Sequence, residues 1–566
     1  MQYFCVACDY DGTLAEHGRV SQPTIDALKR LRATGRKLTL ASGRQLDDLI
    51  SVFPDIRLFE CVIAENGGLL YHVPTATARV LADPPSAELV DELRRRNVDP
   101  LSVGQAIVAT WEPHEQTVLQ AIHDLNLDLQ VIFNKGAVMV LPSGVNKASG
   151  LLQALDRLKL SPHNTVGIGD AENDLAFLAV CECAVAVGNA LDSLKARVHW
   201  VTPSGHGDGV VELADRLIAS DLKELNSRLT HRIPIGRTME GGELQLEPYD
   251  GSLLVAGPSG AGKTMVTTAL VEHLCSARFQ FCVVDPEGDY DDLECAVALR
   301  GSDQNGLVDE AMSVLDHPDQ NAVINLMDLR LADHPLFLQK LLPRLLELHA
   351  ATGRPHWIII DEAHHLLPAS NIATDATLAS WTGNLVLVTV HPDHVAKAAL
   401  TMVRAALLVG HEPQATLDAF VRGRRDQPVL LPSHEPDPRT AWWLKIGSAP
   451  MRVRPLEPSA DRQRHQRKYA RGELGEDRSF YFRGPDSRLN LRAQNLEIFK
   501  QIGDGVDDAT WTFHLQKHDV SRWFRDVIKD ESLAAEADAI ESAGLPAGES
   551  RARMRQAIER RYTAPA

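Results

Sequence analysis

The chain has 566 residues, 44% of them hydrophobic and 24% charged, and a formal net charge of −18. That length is too great for one core and predicts about three or four domains of ordinary globular composition. The acidic balance argues against broad, non-specific nucleic-acid binding, which needs an excess of Lys and Arg facing phosphates. The one basic run, "RQRHQRKYAR" (Arg462–Arg471), reads as a solvated linker. The eight cysteines form no framework: Cys5 and Cys8 lie on an apolar strand-like run, and Cys181 and Cys183 have no second pair to complete a zinc set. Reduced thiols suit a cytoplasmic protein. Strand-like residues begin at Tyr3 in place of a basic-then-apolar leader, and no apolar run approaches the roughly 18 residues that span a bilayer. No membrane contact is therefore expected.

In chain order, "YFCVACDYDGTL" predicts a buried strand ending in Asp9 and a turn holding Asp11, Gly12 and Thr13. "SQPTIDALKRLRATG" has helical periodicity with a Ser/Thr start and a Gly stop. "KLTLAS" is the next strand, ending at Ser42, and "GRQLDDLISVF" the next helix; later "NTVGIGD" ends a strand at Asp170 and "AENDLAFLAV" opens a helix. Strands alternating with helices imply a doubly wound parallel sheet, whose ligands sit at the carboxyl ends of the strands. Asp9, Asp11, Ser42 and Asp170 all fall at such ends. A carboxylate there can attack phosphorus, and a second one two residues on can protonate the leaving oxygen. Asp9 and Asp170 offer hard oxygen ligands to Mg²⁺. Lys147, in "SGVNKASGL", and Ser42 are candidates to hold the transferring phosphoryl group. The plain alternative is a set of acidic caps and turns.

"DYDGTL", "ASGR", "NGG" (Asn66–Gly68), Lys147 and "GDAENDLAFL" together resemble the haloacid dehalogenase superfamily, specifically its IIB or Cof-type phosphatases. The resemblance covers about residues 1–220. It implies Asp9 as nucleophile, Asp11 as acid/base, and Ser42 and Lys147 as phosphate-binding residues. It also implies Asp170 as a metal ligand, with Asn173 and Asp174 completing the acidic loop, so that the metal set is Asp9, Asp11, Asp170 and Asp174. The fold it implies is a Rossmann-like α/β core with an α+β cap at about 74–140, which covers the site and selects a small phosphorylated substrate.

Further on, "VAGPSGAGKTMV" follows a strand and opens a helix. Gly257, Gly260 and Gly262 let backbone N–H groups face a β-phosphate at a helix N-terminus. Lys263 would reach the β- and γ-phosphates of ATP, and Thr264 would ligate Mg²⁺. "HWIIIDEAHHLL" is a buried strand ending in Asp361 and Glu362, suited to hold Mg²⁺ through water and to polarise attacking water. With "IPIGRTMEGGELQL" and "VVDPEGDY", this stretch (about 228–435) resembles the HerA/FtsK branch of P-loop ATPases, a second parallel-sheet domain. Where such motors carry a polar sensor, "NLVLVTVHPDHV" has Val390, then His391 and Pro392. Arg404, Arg422, Arg424 and Arg425 are candidates for a finger acting across a subunit interface, which would make the chain a homo-oligomer.

A Pro-, Arg- and Glu-rich linker is expected at 436–477. Residues 478–566 read as a small, mainly helical domain in which Trp511, His514 and Trp523 belong either to a helical core or to a ligand box. The leading expectation is a Mg²⁺-dependent phosphomonoesterase fused to an ATP-hydrolysing domain. The alternatives are a nucleic-acid end-processing phosphatase/kinase, a DNA-associated ATPase, and an ATP-switched scaffold.

Overall fold

The protein is described here from a computed structural model. It describes residues 1–562 apart from 135, 230, 250, 371–377, 379–380, 382, 434–436, 438, 459–473, 475–477, 486–487 and 529. The basic run Arg462–Arg471 lies outside the described residues. The chain packs as two units, Met1–Arg232 with Leu348–Arg354, and Ile233–Glu347 with Pro355–Ala566.

In the first unit, β1 (Cys5–Asp9) is buried at every residue, as a strand covered on both faces must be. Helix α1 (Gln22–Ala33) starts where the sequence signals it, with Ser21 as N-cap accepting from Thr24 N–H. It is followed by β2 (Lys37–Ala41), α2 (Leu46–Val52), β3 (Cys61–Ala64), β4 (Leu69–His72) and β5 (Thr77–Val80). A cap of α3 (Ala87–Arg95), β6 (Ser102–Val103), β7 (Val108–Trp111), α4 (Glu115–Asp124), β8 (Leu129–Asn134) and β9 (Ala137–Pro142) is inserted before α5 (Lys147–Leu158). The unit closes with β10 (Thr165–Gly169), α6 (Leu175–Val180), β11 (Cys183–Ala186), β12 (Trp200–Val201) and α7 (His206–Ser220).

The core sheet runs β12-β11-β10-β1-β2-β3-β4-β5. It is parallel from β12 to β3, and β4 and β5 add an antiparallel edge. Thr77–Val80, expected within the cap, therefore belong to the core sheet: a hairpin directly after β3 finds its hydrogen bonds at the open edge. The cap has its own antiparallel sheet, β8-β9-β7-β6, packed on α3 and α4 around Leu89, Leu93, Val118 and Val138.

In the second unit, an antiparallel pair β13 (Ile233–Thr238) and β14 (Glu243–Leu246) precedes β15 (Ser252–Ala256) and α8 (Lys263–Ser276). Then come β16 (Phe281–Asp285), β17 (Val297–Arg300), α9 (Gln304–Leu315), β18 (Ala322–Asn325), β19 (Trp357–Ile360), β20 (Asn384–Thr389), β21 (Val403–Leu408) and α10 (Pro413–Arg424). Two further strands, β22 (Ala441–Lys445) and β23 (Met451–Pro455), fall in the stretch expected as linker. They complete the antiparallel end of the sheet, pairing with β21 and β13. Their charged neighbours hide them in composition, whereas the buried Trp442, Trp443 and Val453 carry them into the core. The sheet order is β14-β13-β23-β22-β21-β15-β20-β19-β16-β18-β17.

The chain ends in a hairpin of β24 (Phe480–Phe482) and β25 (Leu491–Ala493), then α11 (Leu496–Gly505), α12 (Asp508–Gln516), α13 (Asp519–Asp526), α14 (Glu531–Ser542) and α15 (Ala547–Tyr562). Trp511 is 2% exposed and donates to Ser550 Oγ at 2.9 Å, so it belongs to the helical core. His514 accepts from Arg483 N–H and lies 2.8 Å from Asp519, while Trp523 donates to the Arg478 carbonyl. No described helix is long and apolar enough to cross a membrane.

Candidate active site

The carboxyl ends of β1 and β10 bring the hydrolase residues together. Asp9 ends β1 with its side chain buried, and Asp170 follows β10, the neighbouring strand. The loop after β10 wraps round Asp174, whose Oδ2 accepts from Asp170 N–H at 2.8 Å and Ala171 N–H at 3.0 Å. Gly169 permits this approach, since a Cβ there would meet the Asp174 carboxylate at 2.7 Å. Lys147, the first residue of α5, reaches in from a helix capped by Asn146. Its Nζ donates to Asp9 Oδ1 at 2.5 Å and Asp174 Oδ1 at 2.7 Å.

Oxygens of Asp9, Asp170 and Asp174 all lie within 4.8 Å of one another. Of these three buried carboxylates, Asp9 and Asp174 share the one ammonium of Lys147. The charge imbalance appears in both directions of titration. Burial, and then Asp174, push Asp9 well above the usual carboxylate range, and Lys147 offsets only part of this. Burial would lower the Lys147 ammonium, but Asp174 and Asp9 outweigh it and hold it up. Asp9 Oδ2 is buried with no hydrogen-bond partner. All-oxygen donors, surplus negative charge and an orphaned carboxylate oxygen are what a hard divalent cation such as Mg²⁺ requires.

Ser42 follows β2, whose Ala41 pairs with Asp9, so it stands on the same edge. It is buried, and its Oγ accepts from Arg44 N–H at 3.1 Å. The Asp11 carboxylate is outside the cluster. Arg44 holds it with Nε at 2.7 Å and Nη2 at 2.8 Å, and uses Nη1 for Asp48 at 2.7 Å. Sequence reasoning gave Arg44 no role; its only signal is its position two residues after Ser42 in "ASGR". Asn173 sits in the acidic loop with Nδ2 3.5 Å from Asn66 Oδ1. Glu65, at φ +52° and buried, accepts from Gln105 N–H at 3.0 Å and Ala106 N–H at 2.7 Å, which fastens the cap to the core.

The second unit carries its own site at the ends of β15 and β19, with β20 between these strands. Gly257 lies against β21, where a Cβ would come 2.2 Å from the Val409 carbonyl. Gly260 and Gly262 have φ of +71° and +91°, and α8 begins at Lys263. Lys263 Nζ donates to its own loop, to the Pro258 carbonyl at 3.0 Å. Thr264 Oγ1 stands 3.5 Å from Asp289 Oδ2. Asp361 follows β19 and is pushed up by burial first, then by Glu362, Asp285, Asp289 and Glu287. Glu362 is left-handed, at φ +43°, a strain found at functional sites. Its Oε2 lies 3.3 Å from His364 Nδ1, which also reaches Thr389 Oγ1 at 3.0 Å. Asp289, His364 and Thr389 went unassigned in the sequence, although Asp289 stands in the quoted "VVDPEGDY".

Among the finger candidates, Arg424 is committed to its own fold through the Leu400 and Val403 carbonyls and Asp426. Arg422 is exposed and pairs with Asp393 at 3.1 Å, Arg404 is exposed on β21, and Arg425 caps α10 at φ +63°.

A doubly wound core with converging aspartates, followed by a P-loop sheet, defines a phosphate-ester hydrolase joined to a nucleotide-binding domain. The haloacid dehalogenase-like hydrolase family matches residues 6–101 and 92–213, and an AAA domain matches 247–384. The phosphoglycolate phosphatase of Methanothermobacter thermautotrophicus is 30% identical over 221 residues, which are 38% of this chain and 98% of that protein. That of Haloarcula marismortui is 30% identical over 212 residues, 36% of this chain and 92% of that protein. Among solved structures, a haloacid dehalogenase-like hydrolase from Bacteroides thetaiotaomicron is 20% identical, covering 38% of this chain and 100% of that one, with a TM-score of 0.35. The chain belongs to the haloacid dehalogenase-like hydrolases through its first unit, and carries an AAA-type P-loop domain after it.

Proposed function

We propose that the first unit is a Mg²⁺-dependent phosphomonoesterase acting on a small phosphorylated metabolite, and that the AAA domain binds and hydrolyses ATP. The observation that carries the first reading is the convergence of Asp9, Asp170, Asp174 and Lys147 at the carboxyl ends of β1 and β10. Asp9 is the nucleophile through one carboxylate oxygen, the other being left to the cation. It forms a bond to phosphorus as the bond from phosphorus to the ester oxygen breaks, leaving an aspartyl-phosphate. Asp11, turned away to Arg44 at rest, swings in, takes up a proton from solvent as it leaves the guanidinium, and passes it to the leaving alkoxide. It then takes a proton from water, which attacks phosphorus, breaks the bond to Asp9 and releases inorganic phosphate. Lys147 and Ser42 hold the transferring group. Asp9, Asp170 and Asp174 would hold Mg²⁺, which would supply charge neutralisation at the phosphoryl oxygens.

In the second unit Lys263 and Thr264 would hold the triphosphate and Mg²⁺ with Asp361, and Glu362 would polarise the attacking water. Crowded carboxylates beside a glycine loop support this reading.

The relatives named as phosphoglycolate phosphatases make phosphoglycolate the first metabolite to test. Phosphate release should be followed from an aryl phosphate, then from phosphoglycolate, sugar phosphates and nucleotides. Release that needs Mg²⁺ and is lost in Asp9→Asn supports the reading. A wild-type chain that releases no phosphate from any of them in Mg²⁺ sinks it.

A further inference from the structure

At the amino ends of the core strands, away from the aspartates, three metal-ligating side chains converge. His163 is buried in the turn before β10, Glu182 immediately precedes β11, and His231 follows α7 near the end of the first unit. His163 Nδ1 lies 2.5 Å from Glu182 Oε2, and His231 Nδ1 lies 2.9 Å from the same oxygen. The two rings stand edge to face, 4.8 Å apart at 87°. Glu182 is fully buried, and its other oxygen, Oε1, is enclosed with no hydrogen-bond partner.

Hydrogen bonding alone accounts poorly for this pattern. A carboxylate serving two imidazoles would spread them over its two oxygens. Here both crowd onto one, and the other is left unsatisfied, the state a buried polar atom avoids. A cation among the three groups removes the conflict, because each imidazole then turns a lone pair to it and Glu182 becomes a charged ligand. Zinc bonds of about 2.0–2.1 Å in a tetrahedron set ligand atoms roughly 3.3–3.5 Å apart, so each nitrogen would recede from Oε2 by no more than about 1 Å.

The nearby residues sharpen the ligand set. His199 Nδ1 accepts from Ala184 N–H at 2.9 Å, which leaves its proton on Nε2 and takes it out of the set. Cys181 flanks Glu182 in sequence but turns inward to the Phe177 carbonyl at 3.2 Å.

We propose that His163, Glu182 and His231 form a transition-metal site of the zinc class, with the remaining position left to water beside the partly exposed His231. Two imidazoles and one carboxylate suit Zn²⁺, Co²⁺ or Ni²⁺ over Mg²⁺. The site is structural: it would fasten the segment after α7 to the amino ends of β10 and β11, remote from the phosphoryl-transfer residues at their carboxyl ends.

The test uses the full chain, stripped with a chelator and then held in excess Mg²⁺ so that the aspartate and P-loop sites compete poorly for Zn²⁺. Wild type should take up one more Zn²⁺ per chain than His231→Ala, and Zn²⁺ should raise the melting temperature of wild type but not of the variant. Co²⁺ should give a visible d–d band in wild type that His231→Ala lacks. His231→Ala should keep wild-type aryl-phosphate turnover, which shows that it folds. Glu182→Gln should match it in Zn²⁺ uptake if it folds; His231, at the surface, carries the test if it does not. Equal Zn²⁺ uptake by wild type and His231→Ala, or none by wild type, overturns the proposal.

Discussion

The two phosphate sites follow one plan and differ in how much of it is finished before a ligand arrives. Each sets buried carboxylates at the carboxyl ends of parallel strands and brings a lysine from the first residue of a helix. In the hydrolase site, Lys147 is already bonded to Asp9 and Asp174. In the P-loop site, Lys263 is turned back on the Pro258 carbonyl, while Asp361 faces Glu362, Asp285, Asp289 and Glu287. The first site is already knit together by the two bonds of Lys147. The second, with Lys263 engaged by its own loop, would on the proposed reading rearrange as Mg²⁺ and a triphosphate bind. Preorganisation suits a hydrolase, whose fixed groups must meet charge as it develops. Deferred assembly suits a domain whose state reports nucleotide.

The largest break in that comparison is Asp9→Asn. It should cut phosphate release by at least about 10³-fold, as loss of a nucleophile does, while leaving ATP binding intact; retention of turnover within tenfold would remove Asp9 from the chemistry. On the other side, Glu362→Gln should slow ATP hydrolysis by roughly 10²-fold or more with binding retained. Lys263→Ala should abolish the rise in melting temperature that Mg²⁺ and ATP give the wild type. Fusion in one chain further predicts that Lys263→Ala alters the phosphatase rate or the oligomeric state. No change in either would make the two sites independent.

A smaller effect concerns Arg44. If Arg44 guides Asp11 between its resting and working positions, Arg44→Ala should lower phosphatase turnover by about tenfold, because the acid/base would lose the partner that orients it. Arg44→Lys should restore part of the rate but not the two-point grip. A variant that loses affinity for substrate with unchanged turnover would point instead to substrate binding.

These sites were legible to different depths. Asp9, Asp170, Ser42 and Lys147 were readable because each ends a strand or starts a helix, and the doubly wound pattern puts such ends on one edge. Asp11 was readable as a motif position but not as an orientation: Arg44 controls where it points, and that depends on two loops meeting. Gly257, Lys263 and Thr264 announced themselves by spacing. Asp289 did not, because nothing in a sequence says that the loop after β16 returns to Thr264. Strands β22 and β23 were hidden since composition averages over Arg and Pro, while the burial of Trp442 and Trp443 is decided by pairing with β21 and that of Val453 by pairing with β13, far back in the chain.

The least effect should come from the thiols, which tell whether both sheets are as dry as the comparison requires. Cys5 on β1 and Cys282 on β16 are each pushed up to about 12, by burial foremost; the Thr39 hydroxyl beside Cys5 opposes the shift only in part. A thiol raised in the folded state stays protonated there at pH values where the unfolded chain would lose its proton. Its contribution to stability is therefore whole below the unfolded value near 8.5 and fades as pH climbs from there toward 12. Alkylation needs the thiolate, so at pH 8 iodoacetamide should modify the partly exposed Cys275 well before either buried residue. Labelling of Cys5 and Cys282 should then rise together only as alkali unfolds the sheets. Early labelling of Cys282 with Cys5 protected would mean that the P-loop sheet opens where the hydrolase sheet does not, extending deferred assembly from the nucleotide site to the strands beneath it.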